Sequence, residues 1–193
     1  VKKLPLVTTN DVKELLASKL IDIREISLEK RYPSTLIVTV FTYPVVANVL
    51  LPTSSSTGVV LGLQHQYSYV TSQGYIVTSA LPLTKDPLPI LRIMDWSVAP
   101  AAGSQLLTPE TIKIILSARN VLRENYNLTA KEIVILLRAK EYHMNLDGKM
   151  LWLDLQSPLH VQLQRFQEFL KQTPLQKVTE YIDVRISDRV IYK

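Results

Sequence analysis

The sequence predicts an α+β protein with mostly antiparallel sheet, and three observations predict it. Short runs that alternate apolar and polar residues recur along the chain, each bounded by turn-forming residues. Two longer segments repeat their apolar residues at helical spacing instead, behind Thr108–Pro109 and Ser157–Pro158. Strands and helices come in runs rather than in strict alternation, which points away from a doubly wound parallel sheet.

The elements follow in order. "TTNDVKELLASKL" opens a short helix, with Thr9 or Asn10 as cap, Asp11 and Glu14 near its positive end, and Val12, Leu15, Leu16 and Leu20 as its stripe. "IREISLEK" and "TLIVTVFTY" are two strands joined at Pro33–Ser34, and Pro44, which has no N–H for a ladder, ends the second. "PTSSSTG" (Pro52–Gly58), small, polar and uncharged, reads as a linker or exposed loop. An alternating stretch follows it, with Ser72–Gly74 as a hairpin turn. "LPLTKDPLPILRI" is too rich in proline for a helix and reads as an ordered connection.

"TPETIKIILSARNVLRENYN" has the strongest helical pattern in the chain. Thr108 is its cap and Pro109 its first helical residue, with Ile112, Ile115, Leu116, Leu122 and Tyr126 as the buried stripe. Strands flank Asp147–Gly148, a favoured two-residue hairpin turn. A second helix starts with Ser157 as cap and Pro158 behind it. From Tyr181 to Ile186 the chain alternates again, with Ile182, Val184 and Ile186 facing inward and Tyr181, Asp183 and Arg185 forming a wet face. Ser187–Arg189 breaks the pattern, and Val190, Ile191 and Tyr192 form a last apolar run. A terminal strand is usually an edge strand, and an apolar edge is a pairing hazard unless something covers it.

The composition excludes several function classes. A net charge of +5 is spread thinly, with seven basic and five acidic residues in 1–52, two of each in 53–107, and thirteen and ten in 108–193. No Lys/Arg cluster marks a nucleic-acid surface. The absence of cysteine removes disulfides, thiolate metal sites and cysteine nucleophiles. His65, His143 and His160 lack metal-ligand spacing, and no P-loop, G-x-S-x-G or G-x-G-x-x-G occurs. Asp147, Asp154 and Asp183 read as turn and strand-face residues, and Asn127–Leu128–Thr129 matches a short glycosylation sequon. No enzyme and no cofactor is expected. The opening "VKKLPLVTTN" has no initiator methionine and reads as a cut inside a longer protein.

"IREISLEKRYPSTLIVTVFTYPVVANV" resembles the second half of a POTRA domain, in the form carried by the bacterial cell-division family FtsQ/DivIB. The matching positions are Arg31, Tyr32, Pro33, Thr35, Leu36, Pro44, Val45 and, one residue late, Ala47. "YIDVRISDRVIYK" resembles that family's closing motif, a Tyr-hydrophobe-Asp-hydrophobe-Arg strand followed by a strand containing Arg-Val. The order of elements between the two also matches, so the resemblance spans nearly the whole chain. A full POTRA domain has a strand and a helix before Asp11 that are missing here, and Thr71 stands where the family commonly has Asp.

The resemblance implies a truncated POTRA-type helix-strand-strand unit over 1–51, followed by a mostly antiparallel β domain with two packed helices over 52–193. It further implies a non-catalytic scaffold of the divisome, single-pass in the cell membrane, with this part extracytoplasmic at the septum. Its partners would be FtsB (DivIC), FtsL and other divisome membrane proteins, with no nucleic acid and no small-molecule substrate. In the family, FtsB adds a strand to the last strand of the β domain. On this sequence Arg189, Val190, Ile191 and Tyr192 would form the receiving edge, with Ile186 and Asp188 beside the turn. Arg138 and Lys140 lie where the family meets an acidic partner residue. For Tyr181, Asp183 and Arg185 the alternative is a solvated strand face holding an Asp–Arg pair. The alternative for the whole chain is a POTRA-type binding module of an outer-membrane assembly or secretion protein.

Overall fold

A computed structural model describes residues 8–17, 22–50, 67–79, 84, 87–94 and 102–193. The expected linker Pro52–Gly58, together with Leu20 and His65, lies outside the described residues. The architecture is α+β, with a two-stranded and a nine-stranded sheet.

The first unit is α1 (Thr9–Ala17) with the antiparallel strands β1 (Ile23–Arg31) and β2 (Thr35–Thr42). Thr8, rather than Thr9 or Asn10, caps α1. Its hydroxyl accepts the Asp11 N–H at 3.3 Å, and the Asp11 carboxylate accepts the Thr8 N–H at 2.8 Å, a reciprocal capping box. Val12 is buried against the hairpin side, but Leu15 of the expected stripe is 72% exposed, because a nine-residue helix turns only a narrow face to its neighbour.

Beyond Pro44 the chain enters the larger sheet at once. β3 (Val45–Leu50) pairs antiparallel with β4 (Tyr67–Thr71) and parallel with β6 (Ile90–Ile93). β3, within the expected 1–51 unit, is thus bonded into the nine-stranded sheet. The proline-rich connection contains a strand, β6, which its prolines had not suggested. Leu91 and Ile93 point into the core and Arg92 out of it, a period-2 pattern that starts only after the last proline.

The nine-stranded order is β11-β10-β9-β8-β7-β6-β3-β4-β5. Here β5 is Ile76–Ser79, β7 Glu132–Leu136, β8 Glu141–Leu146, β9 Lys149–Asp154, β10 Tyr181–Asp183 and β11 Ile191–Tyr192. The antiparallel neighbours are hairpins. At the β8–β9 turn Asp147 and Gly148 have φ of 50° and 89°, as a two-residue hairpin requires. The parallel pairs β6–β7 and β9–β10 need crossovers, and these are the two long helices, α2 (Pro109–Tyr126) and α3 (Leu159–Gln172).

Thr108 caps α2 as expected, accepting the Thr111 N–H at 3.2 Å, with Pro109 in the first turn. Its buried stripe is Ile112, Ile115, Ala118 and Leu122, while Leu116 and Tyr126 are half-buried. α3 begins one residue later than expected, and neither Ser157 nor Pro158 gives a side-chain cap. Buried Gln162 ties this helix to the strand end instead. Its amide nitrogen donates to the Asp154 and Ser157 carbonyls at 3.0 Å each, and its oxygen accepts the Asp154 N–H at 2.9 Å. Phe166 and Leu163 of α3 and the α2 stripe close the core over Ile133, Ile135, Tyr142, Met144, Leu151, Leu153 and Ile182.

Candidate partner-binding edge

The last strand is the end of the sheet. β11 pairs only two residues with β10, Ile182↔Tyr192 and Asp183↔Ile191. Lys193 donates its N–H to Tyr181 O at 3.1 Å and accepts from Thr179 and Glu180 N–H at 2.8 and 2.7 Å. In an antiparallel ladder the backbone groups alternate sides, so with Lys193 turned inward the N–H and C=O of Tyr192 point outward. The expected strand Tyr181–Ile186 is shorter than its alternation suggested, because the ladder stops at Asp183 and the chain reverses through Val184–Val190. Arg189 and Val190 thus precede the edge strand rather than form it, and Asp188 lies in the turn.

The opposite end of the sheet is already engaged. Ile76 N–H donates to Ser104 O at 2.9 Å, Gly103 N–H donates to Ile76 O at 2.7 Å, and Leu106 N–H donates to Gly74 O at 2.7 Å. Residues 103–106 therefore engage the start of β5 at Ile76 and the turn before it, so the two ends of the sheet differ in what they present.

Alternation puts Tyr192 on the helix side and Ile191 on the other. The Tyr192 ring lies 5.0 Å from Phe169 of α3, tilted at 57°. Between α3 and the returning chain runs a groove of about 440 Å³, whose lining includes Phe169, Val190 and Tyr192 with Arg165, Asp188 and Arg189. Four of the sequence-predicted residues, Asp188, Arg189, Val190 and Tyr192, meet there. Tyr192 is 49% and Ile191 37% exposed.

On the helix-free face, Val134, His143, Trp152, Asp183 and Ile191 stand opposite one another across β7 to β11. The rings of His143, Trp152 and Tyr181 stack along this row, with centroids 4.8 and 4.3 Å apart, and the Arg185 guanidinium lies 5.0 Å above Trp152. This layer buries Asp183 to 4% exposure, while Tyr181 and Arg185 on the expected wet face are half-buried. A buried carboxylate is costly unless paired. Arg185 supplies the pair, with Nε at 2.8 Å and Nη2 at 2.6 Å from the two oxygens, and its own N–H donates to Asp183 at 3.0 Å. A further guanidinium nitrogen contacts Glu141.

The titration directions follow from this packing. Burial by itself raises the Asp183 carboxyl, but the side-chain and backbone bonds from Arg185 outweigh it and hold the carboxyl below its ordinary value. His143 Nε2 is 3.5 Å from Glu141 but makes no hydrogen bond, and burial lowers the imidazole against the opposing pull of Glu141. Among the described residues no group of three His, Asp or Glu side chains is arranged to hold a metal ion.

Ile186, Arg138 and Lys140 lie apart from the groove. Arg138 and Lys140 occupy the exposed β7–β8 turn, Lys140 with φ 55°. Ile186 lines a separate polar depression with Ala139, Glu141 and Arg185, so the turn and Ile186 are neighbours at the same end of the sheet. Sequence reasoning missed Phe169 and Arg165, the helix residues that touch the returning chain. The (i, i+4) spacing of Arg165 and Phe169 marks a shared helix face, but not what that face meets.

The chain matches no protein-family model, and no curated protein is significantly similar to it.

Proposed function

We propose that the chain is a non-catalytic scaffold of the FtsQ/DivIB type, which receives a strand from FtsB (DivIC), together with FtsL, at β11. In this role it takes part in regulating septal peptidoglycan synthesis at the cell membrane. One observation carries the reading: β11 ends the nine-stranded sheet with the backbone groups of Tyr192 turned outward, whereas at the other end the chain's own residues 103–106 already bond Gly74 and Ile76. Strand addition needs such an open edge with pockets for alternate side chains. The groove beside Phe169 and Tyr192 offers one such pocket, and the surface at Ile191 offers the opposite face.

The test is a titration with the extracytoplasmic part of the cognate FtsB–FtsL pair, for the wild type, Tyr192→Ala and a chain ending at Arg189. Binding by the wild type, weakened by Tyr192→Ala and lost on truncation with the far-ultraviolet dichroism intact, supports the reading. Binding that survives truncation moves the interface off β11. A wild type that does not bind refutes the assignment of this partner.

A further inference from the structure

We propose that Arg165 is a positioning residue for the receiving edge: from the helix layer it holds the reversal between β10 and β11, so that β11 is in register before any partner strand arrives. This rests on the reading of β11 as a strand-receiving edge.

A ladder of two residue pairs is too short to hold its own register, since even complete hairpins are marginal in isolation. Backbone bonds of Lys193 to Tyr181, Thr179 and Glu180 extend this ladder at its far end, and the reversal that leads to β11 is held as well. The chain leaves β10 with a single long ladder contact, Val184 N–H to Trp152 O at 3.3 Å. The next groups are then gripped from two sides. On the helix side, Arg165 Nη1 donates to Val184 O at 2.8 Å and to Arg185 O at 3.4 Å. From within the chain, Asp183 accepts the Arg185 N–H, which fixes the same peptide group from its amide side.

The second half of the device is Phe169. It lies one helical turn after Arg165, on the same face of α3, and touches the Tyr192 ring. α3 therefore meets the returning chain at two points, with Arg165 at the start of the reversal and Phe169 at its end. Both residues line the groove beside Asp188–Val190. Gln162, a turn earlier, anchors the helix to the end of β9. One helix thus ties β11 to the rigid core, in addition to its ladder with β10.

Preorganisation has a kinetic signature. If loss of Arg165 leaves β11 in register for only about a tenth of the time, apparent affinity falls about tenfold, and the loss is in the association rate. The experiment uses the 193-residue protein as wild type, Arg165→Met, Arg165→Lys and Ile133→Val, the last being a core change remote from the edge. Hydrogen exchange is followed at the Ile191 and Lys193 amides and, for comparison, at Ile135 and Met144. Expected for Arg165→Met is exchange about tenfold faster at 191 and 193 with the core amides unchanged, largely restored in Arg165→Lys and unaffected in Ile133→Val. Unchanged edge amides, or acceleration spread equally over the sheet, overturn the proposal. Against the FtsB segment, Arg165→Met should associate about tenfold more slowly and dissociate at the wild-type rate. A change confined to dissociation makes Arg165 a direct contact and also overturns it. If the wild type binds no FtsB, the partner reading falls, and the exchange measurements still decide whether Arg165 orders the edge.

Discussion

The Tyr192 ring packs against Phe169 with centroids 5.0 Å apart, so an aromatic pair fastens the final strand to the helical layer. Such a pair contributes roughly 0.5–1.5 kcal/mol beyond area burial. Tyr192→Ala should therefore lower stability by about 1 kcal/mol in urea unfolding while leaving the sheet intact. A loss above about 4 kcal/mol would mean that the strand is integral to the core rather than an edge laid on it.

Phe166, one turn earlier on the same buried face of α3, is fully buried over the sheet. Phe166→Ala should cost about 3–5 kcal/mol, because the cavity lies under both helices and the surrounding core relaxes only in part. Unfolding midpoints of the two phenylalanine variants provide the check, with Phe169→Ala, near the rim of the core, expected to be the milder.

Gln162 makes three bonds to the end of β9 and the start of α3. Gln162→Leu keeps the volume but leaves the Asp154 N–H and two carbonyls without those partners. A loss of about 2–4 kcal/mol is expected, since each buried group left unsatisfied costs about 1–3 kcal/mol. A neutral Gln162→Leu would show that water reaches this corner.

Two glycines with the same backbone sign should respond differently to alanine. At Gly148, φ 89°, an added Cβ meets nothing within 4 Å, so only conformational strain of about 1–2 kcal/mol applies. At Gly74, φ 82°, the same atom would sit 1.8 Å from Leu107 O, a backbone atom that cannot swing away. Gly74→Ala should be clearly the more damaging in thermal unfolding, and equal losses would refute the close approach.

Acid should weaken the fold in two stages. His143 is lowered by burial, so between its folded value and the ordinary 6.5 or so the unfolded chain binds more protons. Its contribution is complete above about pH 6.5 and falls as pH drops through that window. Asp183 is also lowered, so its contribution is complete above about pH 4 and is lost below that, as pH falls through the folded value. Urea midpoints from pH 7.5 to 3 should show both stages, and His143→Phe, which keeps a ring on Trp152, should flatten the first. An unchanged slope in that variant would assign the first stage to other groups.

The sequence was most legible where one residue type decides one conformation. Asp147–Gly148 adopts the left-handed pair its hairpin needs, and Thr108–Pro109 starts α2 where the cap chemistry requires. Legibility ended where neighbours far along the chain decide. Asp183 has the spacing of a solvated residue, yet Trp152, Tyr181 and Arg185 close over it. Ser157 resembles a cap, but Gln162, eight residues beyond Asp154, satisfies the helix–strand junction. β6 is hidden behind prolines because four residues carry too short a period to outweigh them.

By itself, then, the sequence determined the α+β class, the hairpin turns and the start of α2. These are local matters of backbone preference and residue period. Only the tertiary structure decided the strand order, with parallel pairs at β3–β6, β6–β7 and β9–β10, and with it that β11 and β5 stand at the ends of the sheet. Sheet order depends on where two crossover helices set down the chain, and on side chains such as Arg165 and Phe169 that meet residues some twenty positions away. No short-range pattern encodes those meetings.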